Sequence, residues 1–241
     1  MNTSGGDMKV LDIDGDLSLQ TSGGNIKVGA VTGAADLNTS GGDIDIGKVG
    51  KNLLALTSGG DVTFDDVGGE AHISTSGGTI HGGSVHSKAE LRTAGGDITL
   101  EGASGIINAS TAGGNLDLSG IVGSLNAHTS GGDITAELTP SGAGKSKLTS
   151  ASGTIRLYVP EDAKAEISAV IRVQGWWKSD EDDYHIRSDF KASSNDKDED
   201  ESEIRSTYVL NGGGESISLE TVNADIDIRT LGAAHTKWKK K

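Results

Sequence analysis

Asp7, Asn25, Asp43, Asp61, Thr79, Asp97, Asn115 and Asp133 stand eighteen residues apart, and Thr154 continues the series after a longer step. A column of carboxylates is the pattern that binds hard cations such as calcium, through oxygen ligands from neighbouring turns. Two bare carboxylates one strand apart repel by about 1 kcal/mol even in water. Asn and Thr interrupt the series, leaving Asp43 and Asp61 as its one adjacent acidic pair. Short acceptors repeated in this way suit a turn, where they bond backbone N–H groups. The histidines do not cluster; His81 and His86 are the one pair whose spacing could bring them together around a metal. There is no cysteine, which removes thiolate catalysis, disulfides and thiolate-bound metals. The Gly-Gly pairs lack the lysine and helix of a phosphate loop, and no nucleophile–base–orienter set stands out. We therefore expect no cofactor, no metal and no enzymatic activity. Outward carboxylates of a solenoid lyase are the enzymatic alternative.

The element that carries this column is a repeat. Thr-Ser-Gly-Gly-Asp begins at Thr3, Thr39, Thr57 and Thr129, with close variants at Thr21, Thr75, Thr93 and Thr111, always in steps of 18. A short strict period marks a solenoid whose coils stack. Counting the threonine as position one, apolar residues fill positions six, eight, eleven, fifteen and seventeen, as in Ile44, Ile46, Val49, Leu53 and Ala55. Alternation in short runs is the strand period. Glycine at position four, and often at thirteen, reads as a repeated corner, attributed to its conformational freedom. Parity places the threonines inside, with their hydroxyls bonded to neighbours or backbone, which argues against an outward ice-binding threonine row. Ten rungs at the inter-strand spacing make a rod about 45 Å long. The apolar spacing excludes a hexapeptide helix. One Gly-Gly per coil, instead of two Gly-Gly-x-Gly-x-Asp units, argues against a calcium-binding nonapeptide roll. The expected fold is all-β: a single-stranded parallel β-helix (β-solenoid) with 18-residue coils and an elaborated C-terminal end. Its coil handedness stays open.

Residues 1–159 read as regular coils. Residues 160–230 read as final coils of the same solenoid, carrying an acidic, aromatic-containing insert at about 174–210, and 231–241 as a basic tail. A turn at Pro140–Gly144 shifts the register, and Thr221–Ile228 matches a degenerate last coil. The net charge of −14 argues against nucleic-acid binding through phosphate neutralisation. The densest acidic runs, Asp180–Asp183 and Asp198–Glu201, read as a solvated loop. No apolar run is long enough to span a bilayer. No signal peptide is evident and Met1 enters a repeat at once, so membrane association is expected only through a segment outside these residues.

The recurrent Thr-Ser-Gly-Gly-Asp-Ile, with the ending Gly212-Gly213-Gly214-Glu215-Ser216-Ile217 through Ile226, resembles the bacterial and archaeal toastrack-type β-strand-repeat domains, an adhesin-labelled family of unknown function. Ala224 departs from the glycine usual near that ending, and the insert is unusually acidic. The resemblance implies a β-solenoid on envelope-associated proteins and supplies no catalytic residues. We expect a non-enzymatic interaction or scaffold module, adhesin-like or envelope-associated, in the envelope, outside the cell or at the cytoplasmic face of the membrane. Trp176, Trp177 and Tyr184 are the candidate contacts for a protein or glycan partner; covering a strand edge is their plainer role. The alternative is a filament formed by end-to-end coil stacking.

Overall fold

The computed structural model describes residues 1–141, 144–174, 184–197 and 202–232. Every named element is a strand. The early coils carry β1 (Met8–Val10), β2 (Leu17–Gln20), β3 (Ile26–Val28), β4 (Ala35–Asn38), β5 (Ile44–Val49), β6 (Leu53–Leu56), β7 (Val62–Val67), β8 (Ala71–Ser74), β9 (Ile80–Val85) and β10 (Ala89–Arg92). Then follow β11 (Ile98–Ser110), β12 (Leu116–Thr129), β13 (Ile134–Thr139), β14 (Lys145–Ser150), β15 (Ile155–Val159) and β16 (Ala165–Arg172). The chain ends through β17 (Ile186–Ser188), β18 (Ser194–Lys197), β19 (Glu203–Leu210), β20 (Glu215–Val222) and β21 (Ile226–Thr230).

Each coil lies parallel on the last. Ile26 pairs with Ile44 and Ile44 with Val62, while Leu53 pairs with Ala71 and Ala71 with Ala89, all at the repeat distance. The fold is a parallel β-solenoid of about eight coils spaced about 18 residues apart. The alternating inward residues form one continuous dry column, from Met8 to Ile228. Its exceptions are compensated by neighbours. Position eight holds Phe64 in one coil and Gly82 in the next, and a methyl on Gly82 would lie inside the Phe64 ring. The large and the absent side chain together keep the column at native packing density.

The corner shows why Thr and Gly recur. Thr75 Oγ1 donates to the Gly60 carbonyl of the preceding coil at 2.8 Å and accepts from Gly78 N of its own coil at 3.2 Å. Thr39, Thr57, Thr93, Thr111 and Thr129 repeat both bonds. Ser150 keeps them with one methyl fewer, at 2.9 and 2.8 Å. The glycine is needed for a reason other than the conformational freedom expected from sequence. None of the position-four glycines has a positive φ; those in the coils fall at Gly15, Gly105, Gly120 and Gly123. A Cβ on Gly60 would instead lie inside the Gly42 carbonyl, and Gly78, Gly96 and Gly114 face the same obstacle. The next residue back, Gly59, has its nearest neighbour at 3.4 Å.

The carboxy-terminal end departs from a simple succession. The last coil in sequence is not the last in space. β20 lies between β14 and β16, and β21 lies between β15 and β17. β19 then pairs antiparallel with β16, and β18 antiparallel with β19. The register turn at Pro140 makes room for Glu215, a fully buried carboxylate that accepts from Ser146 Oγ at 2.6 Å and Ser141 N at 3.2 Å. Ser146 occupies an aliphatic position of the column and in turn accepts from Leu125 N at 2.9 Å. No buried side-chain polar atom lacks a partner among the described residues. Ala224, the departure from glycine, follows Asn223, which takes a left-handed φ of 50° and clamps Gln174 through two bonds.

Two pairs of substitutions test the corner. Thr75→Val is nearly isosteric and strands a buried carbonyl and N–H, so we expect a loss of about 1–3 kcal/mol, with Thr75→Ser much milder. Gly60→Ala is expected to cost about 1–3 kcal/mol or more by overpacking, whereas Gly59→Ala stays within about 0.5 kcal/mol. Urea denaturation of the four variants checks both pairs.

Candidate functional site

The column of short acceptors at position five belongs to the scaffold. Asp43 N donates to Asn25 Oδ1 at 2.8 Å, Asp61 N to Asp43 Oδ1 at 2.9 Å and Thr79 N to Asp61 Oδ1 at 2.7 Å. Asn115, Asp133 and Thr154 continue the pattern. The bond reaches from one coil to the next, not within a turn as the sequence pattern suggests. One oxygen of each carboxylate is thereby engaged by backbone, and no group of three or more His, Asp or Glu arranged for a metal occurs among the described residues. His86 Nε2 lies 2.8 Å from Asp66 Oδ1, so its partner is a carboxylate and not His81.

A concave surface among the described residues lies elsewhere, on the outer face of the strands β2, β4, β6, β8 and β10. Positions sixteen and eighteen point outward there because fifteen and seventeen point into the column. The outward residues align rung on rung: Asp36 beside Leu54, Leu54 beside His72, His72 beside Glu90, Glu90 beside Asn108 and Asn108 beside Asn126. A groove of about 670 Å³ runs past Asp16, Asp36, Leu54, His72 and Glu90. A second stretch of about 480 Å³ continues past Arg92, Asn108, Asn126, His128 and Lys147. They meet at rung five, where Glu90 accepts from Arg92 at 2.6 Å and lies 3.4 Å from His72 Nδ1. Asn126 Nδ2 donates to Asn108 Oδ1 at 3.1 Å, continuing the polar row.

This face has an electrical direction. Among positions fourteen, sixteen and eighteen, the first four coils carry Asp16, Asp36 and Glu70 and no lysine or arginine. Coils five to eight carry Lys88, Arg92, Lys145 and Lys147 against the single carboxylate Glu90. The arrangement can hold an extended polar chain along the axis, by hydrogen bonds and charge, over several rungs.

Compared with known families, residues 1–229 match the family model described as Toastrack DUF4097. The chain belongs to the Toastrack family. No curated protein and no solved structure matches it. The toastrack repeat in this chain is thus the solenoid coil, and the Gly212–Glu215 ending is the segment that inserts the buried carboxylate.

Of the aromatic candidates in this Toastrack chain, Tyr184 is half-buried and packs against the apolar column near its end. Trp176 and Trp177 lie outside the described residues, as do both acidic runs, Asp180–Asp183 and Asp198–Glu201, and most of the basic tail. Phe190 packs beside Tyr184's end of the column, and Tyr208 is buried. The grooved face was not singled out by sequence reasoning, although its signal was present: reading every eighteenth residue from Ser18 lists the outward row. The step to Lys147 needs the structure, because the turn at Pro140 displaces the register to Asn126↔Lys147. Among the described residues no helix is long and apolar enough to cross a membrane, which says nothing of spanning strands.

An ionic clasp closes the far end. Asp189 accepts from Thr230 N at 3.0 Å and from Arg229 at 2.8 Å. The Thr230 backbone bond first, and Arg229 second, hold the Asp189 carboxyl below its ordinary range, while Asp189 raises the Arg229 guanidinium. With the folded value below the unfolded one, the stabilisation is present above the unfolded value and is lost as pH falls through the folded value. The protection of β17 and β21 amides against hydrogen exchange, taken relative to the intrinsic rate at each pH, is therefore expected to fall on acidification below the usual aspartate range. Asp189→Asn should flatten that acid dependence.

Proposed function

We propose that this Toastrack chain is a non-enzymatic interaction and scaffold module that offers the grooved outer face of its solenoid to an extended partner. The observation that carries the reading is the continuous outward row from Asp36 to Asn126, held rung on rung by strand pairing. A surface fixed by backbone bonds loses little freedom on binding, so weak polar contacts repeated along it add up. Polar and charged groups spread over several coils, and not converging on one point, suit adhesion better than catalysis. An adhesin-like role in the envelope or outside the cell follows naturally for such a rod, as does one at the cytoplasmic face of a membrane. The partner is a protein or glycan.

End-to-end filaments are the competing assembly. Coil-on-coil growth needs the two ends to continue one another. At the far end the antiparallel strands β19 and β18 cover β16, an arrangement that favours separate particles. Electron microscopy of the purified chain should show short monodisperse rods; fibres would establish the filament instead. An array of glycans and peptides should return at least one ligand class, and Leu54→Arg with Glu90→Lys, both on the grooved face, should change that signal by about tenfold, upward for an anionic ligand and downward for a cationic one, without lowering the melting temperature. An array on which nothing binds, or a ligand indifferent to the face variant, removes the proposal.

A further inference from the structure

We propose that the outer face of coils five to eight binds a carboxylated glycan chain lying along the solenoid axis. This rests on the grooved face being the contact surface, and it names the ligand chemistry of one half of it. The first observation is a local reversal of charge. The chain as a whole carries −14, yet this stretch presents Lys88, Arg92, Lys145 and Lys147 with Glu90 among them. Of these, Lys88 and Lys145 are exposed and have no ion pair among the described residues. Arg92 and Lys147 each bond one carboxylate, Glu90 and Glu220, while their own side chains remain more than half exposed, at 64% and 53%. Cations kept exposed against the trend of the molecule mark an anionic partner.

The second observation is what lies between them. Rungs five and eight are three strand steps apart, about 14 Å. The space between is lined by Asn108, Asn126, Ser110 and His128. Amides, hydroxyls and imidazole are donors and acceptors suited to a polyhydroxylated chain. A uronate polymer supplies carboxylates for the cations at each end and hydroxyls for the amides between.

Other polyanions fit less well. An acidic peptide gains most from free backbone groups at a sheet edge, whereas the strands of this face are paired on both sides and offer no such edge. Single-stranded nucleic acid needs aromatic platforms for its bases, and none lines the groove.

Isothermal titration of the full chain with oligogalacturonates of increasing length tests the proposal. Binding should appear once the oligomer bridges rungs five and eight, and weaken as salt is raised. Arg92→Ala with Lys147→Ala should lower affinity by about tenfold, while Asp36→Asn with Glu70→Gln should leave it equal or tighter. Neutral dextran should give no heat. Lack of oligogalacturonate binding, an unaffected Arg92/Lys147 variant, or equal binding of polyglutamate or single-stranded DNA would overturn the assignment. A ligand from the array that still binds the Arg92/Lys147 variant would leave the module reading standing and sink only this one. The four residues are exposed, and an unchanged melting curve verifies that the variants are folded.

Discussion

Successive glycine corners lie too close together to admit a Cβ, and the rest of the structure is organised around that contact. The carbonyl of one position-four glycine sits where the Cβ of the next would be, and a threonine hydroxyl bridges the two. One residue type is admitted by sterics and the other by hydrogen bonding. Together they oppose a slip by one residue: toward position five it would drive a side chain into a carbonyl, and in either direction it would take the threonine hydroxyl from its two partners. The apolar column supplies most of the driving force for folding, but it is tolerant of exchange among Val, Ile, Leu and Ala. The corner is not. Register in this solenoid is a property of its edge more than of its core.

Because register is fixed at the corner, the outer face inherits an eighteen-residue periodicity without being selected for shape. Any outward side chain falls beside its equivalents above and below. The acidic-to-basic progression along the groove is then a linear reading of sequence, written on a rigid backbone. The position-five column shows the same economy: side chains that look like a cation site individually prove to be ties between coils, each accepting from the backbone of its successor.

Much of this was legible before the structure. Strict spacing revealed the coil, and parity placed Thr21 through Thr129 inside, where all are buried. Three things were not legible. The position-four glycines suggest a backbone angle, because a sequence shows what a residue permits and not what stands opposite it. The outward row from Ser18 to Asn126 was overlooked, because apolar periodicity draws the eye and polar residues vary along their column. The role of Glu215 depends on a gap opened by the Pro140 turn more than seventy residues earlier, and no local pattern joins them. Tyr184, a candidate contact, is partly buried against the apolar column.

The intercalation of β20 and β21 bears on how the chain reaches this state as it leaves the ribosome. Emerging coils can stack in order of synthesis as far as β15, each finding its template already in place. β16 emerges next, but its neighbour in the finished sheet is a strand not yet translated. Until residues 215–230 arrive, β14 offers an unoccupied edge to β16, a pairing that must be avoided or undone for β20 to enter. The final segment thus acts as a keystone, set between stones already laid, and a ribosome that stops short of it leaves a body that has coils but no closure.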